Sequence, residues 1–250
     1  MEQFVSSATA GQIAMVNGMI ENELAARERH KRERLLRRAR FPQVKSFEGF
    51  DYSQVSFPER YAREDLESLA FADAAQDFVF HGKTGRGKTH LAIATSMACV
   101  VKAKTVRFFT AADLVPALAK ASREHEPEAL LKDLYRSDLM VVGELGYVPI
   151  DREGARLLFQ VMSDCYERRS VIITTNIELG GWGAVFGDDK LASTLIDRLM
   201  HHGRLVEFGG GSKRMEDALM PGKPDRWRGG WRVPSEVLKL SRAKRSNSLD

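Results

Sequence analysis

Cysteine is scarce in this chain and long apolar runs are missing from it. Its 250 residues include two cysteines, Cys99 and Cys165, too few and too far apart for a disulfide framework or a zinc quartet. Both stand in hydrophobic segments that read as core, which fits a reducing compartment. No stretch approaches the roughly 18 apolar residues of a membrane span, and Met1 to Ile20 lacks the basic start and unbroken apolar run of a signal peptide. The expectation is a cytoplasmic protein with no membrane partner. No internal repeat of twenty to fifty residues is visible. What is present, 43% hydrophobic and 29% charged residues, is ordinary for a globular protein and excludes wholesale disorder. The length suits one sizeable domain with appendages.

The net charge of +4 is modest but unevenly placed. The segment 25–40, AARERHKRERLLRRAR, carries eight Lys/Arg against Glu28 and Glu33, a net of +6. From Ser212 to Asp250 the balance is +5, and Phe41 to Gly211 is −4. A mildly acidic core therefore sits between two basic arms. Basic clusters neutralise phosphates and release counterions, a sequence-blind contribution to nucleic-acid binding. Arg32, Arg34, Arg37 and Arg38 are the candidate DNA contacts; an acidic protein partner or a solvated helix face would use the same charges. In the C-terminal arm, rich in Gly and Pro, Trp227 and Trp231 lie between arginines. They could stack on bases or dock on the protein itself.

From Ala8 onward Ile13, Val16, Ile20 and Leu24 recur at helical spacing, predicting an amphipathic helix that continues into the basic segment and stops at Phe41-Pro42. Lys45 to Phe57, KSFEGFDYSQVSF, reads as a connector whose aromatics pack on the next domain. Beyond it, β-rich runs at Phe78–Phe80, Thr105–Phe109, Leu139–Val142, Val171–Thr175 and Leu205–Phe208 alternate with helical patterns. The helices are expected at Lys88–Val101, Ala112–Ala121, Ala155–Arg168 and Lys190–His202. That alternation predicts an α/β fold, a five-stranded parallel sheet flanked by helices.

The first of these strands runs directly into Gly82, Lys83, Thr84, Gly85, Arg86, Gly87, Lys88 and Thr89, which fits G-x-x-x-x-G-K-[ST] and opens a helix at His90-Leu91-Ala92. Strand, glycine-rich loop and helix in this order form a cradle of backbone N–H groups at a helix N-terminus, suited to a phosphate chain. Lys88 is expected to reach the β- and γ-phosphates and the Thr89 hydroxyl to bind Mg²⁺.

The apolar run Leu139 to Val142 ends in Gly143-Glu144. Phosphate-loop ATPases usually carry Asp then Glu there, the Asp holding the metal and the Glu orienting water. Gly143 takes the first place, so Glu144 alone would serve both needs. Asp138 stands at the wrong end of the strand, roughly 16 Å away at about 3.3 Å per residue. Val171 to Thr175 ends in Asn176, which suits a sensor of the γ-phosphate or the lytic water; a strand-capping Asn is the plain alternative. Arg198, in KLASTLIDRLMHH, is either an arginine reaching a neighbouring subunit's nucleotide or one half of a surface ion pair.

Taken together, GKTGRGKTHLA at 82–92, ELGYVPIDREGARLLFQVMSDCYERRSVIITTN at 144–176 and WGAVFGDDKLASTLIDRLMHH at 182–202 resemble the IstB family of insertion-sequence helper ATPases, relatives of DnaC-type helicase loaders in the AAA+ superfamily. ARFPQVKSFEGFDYS at 39–53 resembles that family's junction between helical N-terminal region and ATPase core. The resemblance implies an AAA+ fold and an ATP- and Mg²⁺-dependent helper that assembles as a homo-oligomer on double-stranded DNA and partners the element's transposase. It places Lys83, Arg86 and His90 with the rest of 82–90 at the nucleotide, Glu144 in catalysis, Asn176 in sensing and Arg198 as the arginine finger. It implies a division into 1–47 (basic helical arm), 48–208 (ATPase) and 209–250 (tail). A DnaC-like helicase loader, or a nucleotide-gated DNA scaffold that hardly hydrolyses, are the alternatives.

Overall fold

A computed structural model describes residues 9–124 and 127–213. The expected basic tail, with Trp227 and Trp231, lies outside the described residues apart from its first few positions.

Helix α1 (Ala10–Ala39) opens on a capping box between Thr9 and Gln12 and closes with Arg40 in the left-handed region, φ 57°. The connector follows, with the two-residue strand β1 (Val55–Ser56) and helix α2 (Arg63–Ser68). The alternating part comprises β2 (Asp77–His81), α3 (Lys88–Val101), β3 (Val106–Thr110), α4 (Ala111–Arg123), α5 (Pro127–Tyr135), β4 (Leu139–Leu145), α6 (Arg152–Cys165), β5 (Ser170–Thr175), α7 (Trp182–Phe186), α8 (Asp189–His201) and β6 (Gly203–Phe208).

The strands lie in the order β1-β6-β2-β5-β4-β3. The five expected strands are parallel. The sixth, β1, is added antiparallel on the β6 edge, with Val55 opposite Phe208. Two residues of connector carry no periodic pattern, so nothing in the sequence marks this sixth strand.

Successive side chains of a strand point to opposite faces, and this sorts the core into two layers. Phe78, Phe80, Val141, Ile172 and Val206 face α3, α2 and the last turns of α1, where Leu35 and Ala39 are buried. Val79, Met140, Val142, Val171 and Ile173 face α4, α6, α7 and α8. The connector's Phe47, Phe50, Tyr52 and Phe57 pack against the first layer, as expected. Cys99 and Cys165 are buried free thiols, both pushed up to about 12 by desolvation.

Several boundaries move for local reasons. Helix α6 starts at Arg152 rather than 155 because the Asp151 side chain accepts from Gly154 N–H at 2.9 Å, and it ends at Cys165 because Tyr166 turns extended, ψ 129°. Strand β4 runs three residues beyond Val142, through Gly143 and Glu144. Helix α5, not anticipated, places Leu134 under the second layer. The apolar series Ile13, Val16, Ile20 and Leu24 is helical as expected but faces solvent, with Met15 and Met19 beside it.

Candidate phosphate-binding site and its surroundings

The loop between β2 and α3 sits at the C-terminal edge of the parallel strands, where open α/β sheets bind ligands. Its backbone is left-handed at Gly85 (φ 83°) and Gly87 (φ 92°). A side chain on Gly85 would collide with the Ser212 hydroxyl, and Gly87 is the N-cap residue of α3, facing the Phe50 ring. Both positions need glycine. Lys88 is buried and its ammonium donates to the carbonyls of Gly82 and, at 2.8 Å, Lys83, holding the loop curled over the helix N-terminus.

Thr84, Gly85, Lys88, Thr89, Glu144, Tyr147, Thr174, Thr175 and Asn176 line one pocket. The sheet order brings them together, since β5 lies between β2 and β4. Register along β4 and β5 shifts between Val142 and Leu145, and Glu144 adopts φ 62°. A bulge of this kind bends a strand and re-aims a side chain. It turns Glu144 into the pocket while its strand neighbours stay buried. The left-handed conformation is costly for a non-glycine residue and is held by the Glu144 N–H donating to Thr174 Oγ1 at 3.0 Å. Thr175 donates to Leu145 O at 2.9 Å, tying the two strand ends. The Asn176 Oδ1 is buried without a partner among the described residues, the kind of orphan a ligand or bound water satisfies.

The donor set fits a nucleotide with its divalent ion. Thr89 and Glu144 supply hard oxygens to one pocket, the ligand type Mg²⁺ takes. Gly143 adds none. A Cβ there would stand 3.4 Å from Phe108 Cζ, 3.5 Å from Phe109 O and 3.8 Å from Thr174 Oγ1, ordinary contact distances, so packing does not dictate the glycine.

Other expected site residues are placed differently. Arg86 donates to Phe208 O at 3.0 Å. The His90 ring meets Ser46 O at 3.1 Å and packs 5.1 Å from the Phe50 ring. Burial there lowers its pKa, with the Ser46 contact opposing. Arg198 is not in this pocket; its guanidinium lies 5.3 Å over the Phe159 ring and lines a separate cleft with Asp164, Tyr166, Glu167 and Arg168. Of the four candidate arginines on α1, Arg34, Arg37 and Arg38 are exposed and Arg32 is partly buried. Arg32 pairs loosely with Glu28 at 3.7 Å, and Arg38 forks onto Asp133 at 2.6 Å. Asp138 immediately precedes β4 and accepts from Thr105 N–H at 2.7 Å, at the end of the strand away from the pocket.

Two participants were not legible in the sequence. Tyr147 shares a 2.5 Å hydrogen bond with Thr84. Lys213 donates its N–H to Gly85 O at 3.0 Å and its ammonium to Asp51 Oδ2 at 2.9 Å, while lying 5.5 Å over the Phe50 ring. The Ser53 contacts and then Lys213 hold the Asp51 carboxyl well below the usual carboxylate range.

A three-layer α/β fold with this loop, sheet order and strand-end carboxylate defines an AAA+ type of phosphate-loop protein. The chain belongs to the family described as IstB-like ATP binding protein, whose model matches residues 1–220. It is 36% identical over 195 residues to a protein named as the ATP-binding protein of insertion sequence IS232 from Bacillus thuringiensis subsp. berliner, covering 78% of each chain. To that named for insertion sequence IS21 of Pseudomonas aeruginosa it is 34% identical, over 81% of this chain and 77% of the relative. Among solved structures, that of the DnaC helicase loader superposes with a TM-score of 0.50 at 25% identity, over 59% of this chain and 89% of the loader. No described helix is long and apolar enough to cross a membrane.

Proposed function

We propose that the chain is the ATP-dependent helper of an insertion sequence, acting in the cytoplasm with the element's transposase. ATP is held by Gly82 to Thr89, with Mg²⁺ on Thr89 and Glu144; when bound, the ion neutralises phosphate charge. Glu144 orients the attacking water and Asn176 senses the γ-phosphate. Arg198, which does not line its own chain's pocket, reaches the nucleotide of a neighbouring copy in a homo-oligomer. Residues 1–47 form the arm that tracks double-stranded DNA through Arg32, Arg34, Arg37 and Arg38, residues 48–208 the ATPase, and 209–250 a basic tail.

The observation that carries this reading is the convergence of the phosphate loop, Glu144 and Asn176 on one pocket. Family membership supports the insertion-sequence context. Gly143 in the metal-ligand place supports weakened hydrolysis, and so favours a second reading, a nucleotide-gated clamp that binds DNA and turns over little. ATP turnover measured with and without double-stranded DNA, beside DNA binding with ATP and a non-hydrolysable analogue, decides between them. DNA-stimulated turnover supports the cycling ATPase. ATP-dependent DNA binding with negligible turnover supports the clamp, and DNA binding indifferent to nucleotide would sink both.

A further inference from the structure

We propose that Glu167, His201 and His202 form a surface site for a divalent transition-metal ion of the Zn²⁺ class, separate from the nucleotide's Mg²⁺. The three residues come from two segments at the N-terminal edge of the sheet, opposite the phosphate loop. Glu167 lies between α6 and β5, while His201 is the last residue of α8 and His202 its C-cap, just before β6. A strand of five or six residues at about 3.3 Å each keeps the two sites roughly 15–20 Å apart.

One ligand atom from each of the three residues lies within 4.8 Å of the others. The His202 Nε2 meets Glu167 Oε1 at 2.9 Å, and the two imidazole rings stand 4.2 Å apart at 77°. The Tyr166 hydroxyl bonds His201 Nδ1 at 2.8 Å, an outer contact of the sort that fixes the ring of a metal-binding histidine. Two imidazoles and one carboxylate suit Zn²⁺, Co²⁺ or Ni²⁺, whereas Mg²⁺ prefers oxygen alone. The site is open, with 40% of the His202 and 56% of the Glu167 side chain exposed, so water completes the coordination shell. It also caps the C-terminal end of α8, where the helix dipole favours a cation. The buried thiols of Cys99 and Cys165 do not compete, because neither is accessible or readily ionised.

A bound ion ties the end of α8 to the turn after α6. Arg198 lies one turn earlier on the same helix, in the cleft that Glu167 also lines. The ion would therefore stiffen the seat of that arginine whatever role Arg198 itself has.

The test uses the full chain, stripped with chelator and titrated with Co²⁺ and Zn²⁺, by visible absorption and calorimetry. The wild type is expected to bind one ion that excess Mg²⁺ does not displace, with ligand-field bands and no thiolate charge-transfer band. Binding is lost in His202→Ala and in Glu167→Gln, weakened about tenfold in Tyr166→Phe, and unchanged in Thr89→Ala. Zn²⁺ is expected to raise the melting temperature of the wild type and not of His202→Ala. If wild-type and His202→Ala titrations superimpose, or Mg²⁺ displaces the ion, the Glu167–His202 contact is only an exposed hydrogen bond and the proposal is wrong.

Discussion

Tyr147 and Thr84 share a 2.5 Å hydrogen bond that joins the loop after β4 to the phosphate loop. Tyr147 is half exposed, and its hydroxyl is its anchor to the rim of the pocket. A neutral hydrogen bond of this kind contributes about 0.5–1.5 kcal/mol. Tyr147→Phe is expected to weaken ATP binding roughly two- to tenfold, measured with a fluorescent ATP analogue. Unchanged affinity would make Tyr147 a bystander.

Gly143 stands where a Cβ would meet only ordinary contact distances. The Gly143→Asp variant is expected to fold normally and raise phosphate release on the order of tenfold or more, by adding a metal-directed carboxylate beside Glu144. Gly143→Ala is the control: it fills the same space without a ligand and should leave turnover where it was.

Much of this site is legible in the sequence because its parts are local. The glycine loop announces itself between a strand and a helix, and Gly143-Glu144 and Asn176 each end an apolar run. The sequence does not reveal the bulge that turns Glu144, because strand register depends on the neighbouring strand. Nor does it reveal contacts that span the chain, such as Tyr147 on Thr84 or Lys213 on Gly85. Helix α5 escapes for a different reason. Its nine residues hold only Leu130, Leu131 and Leu134 as a repeat, too short a pattern to separate from loop. The apolar series of α1 is the opposite case, since periodicity gave the helix correctly and said nothing about what would cover it.

Asp133 joins α1 to the sheet by taking Arg38 at 2.6 Å and Arg107 at 2.6 Å. Arg107 is 5% exposed, its Nε has no partner among the described residues, and burial lowers its pKa. Asp133→Ala would leave a buried guanidinium without its counter-charge, which costs about 3 kcal/mol or more. Chemical denaturation of Asp133→Ala should show a loss of that size. A double variant, Asp133→Ala with Arg107→Met, should recover most of it.

Asp77 is buried beneath the Val171 N–H, which it accepts at 2.8 Å. Desolvation raises its pKa to about 7, with the Val171 bond opposing. Between the ordinary carboxylate value and about 7 the folded protein holds a proton that the unfolded chain has released. This group therefore costs stability progressively as pH rises through that window. Asp77→Asn keeps the acceptor for Val171 and removes the titration. It is expected to flatten the fall in melting temperature between pH 4 and 7 and to be the more stable form at pH 8. A steeper fall in the variant would overturn the assignment.

The anchoring of α1 has a mechanical consequence. Only Leu35 and Ala39 of its thirty residues are buried, so the helix is a cantilever clamped at one end, roughly 45 Å long at about 1.5 Å per residue. A tilt of about 10° at the clamp would carry the far end roughly 8 Å by that same length. The clamp includes the Arg107 contact with the Arg38 carbonyl, and Arg107 belongs to β3, the strand paired with the one that carries Glu144. Small movements at the sheet edge would thus be magnified into large sweeps of the arm's far end, where Ile13, Val16, Ile20 and Leu24 are exposed, while the basic residues beside the clamp move least.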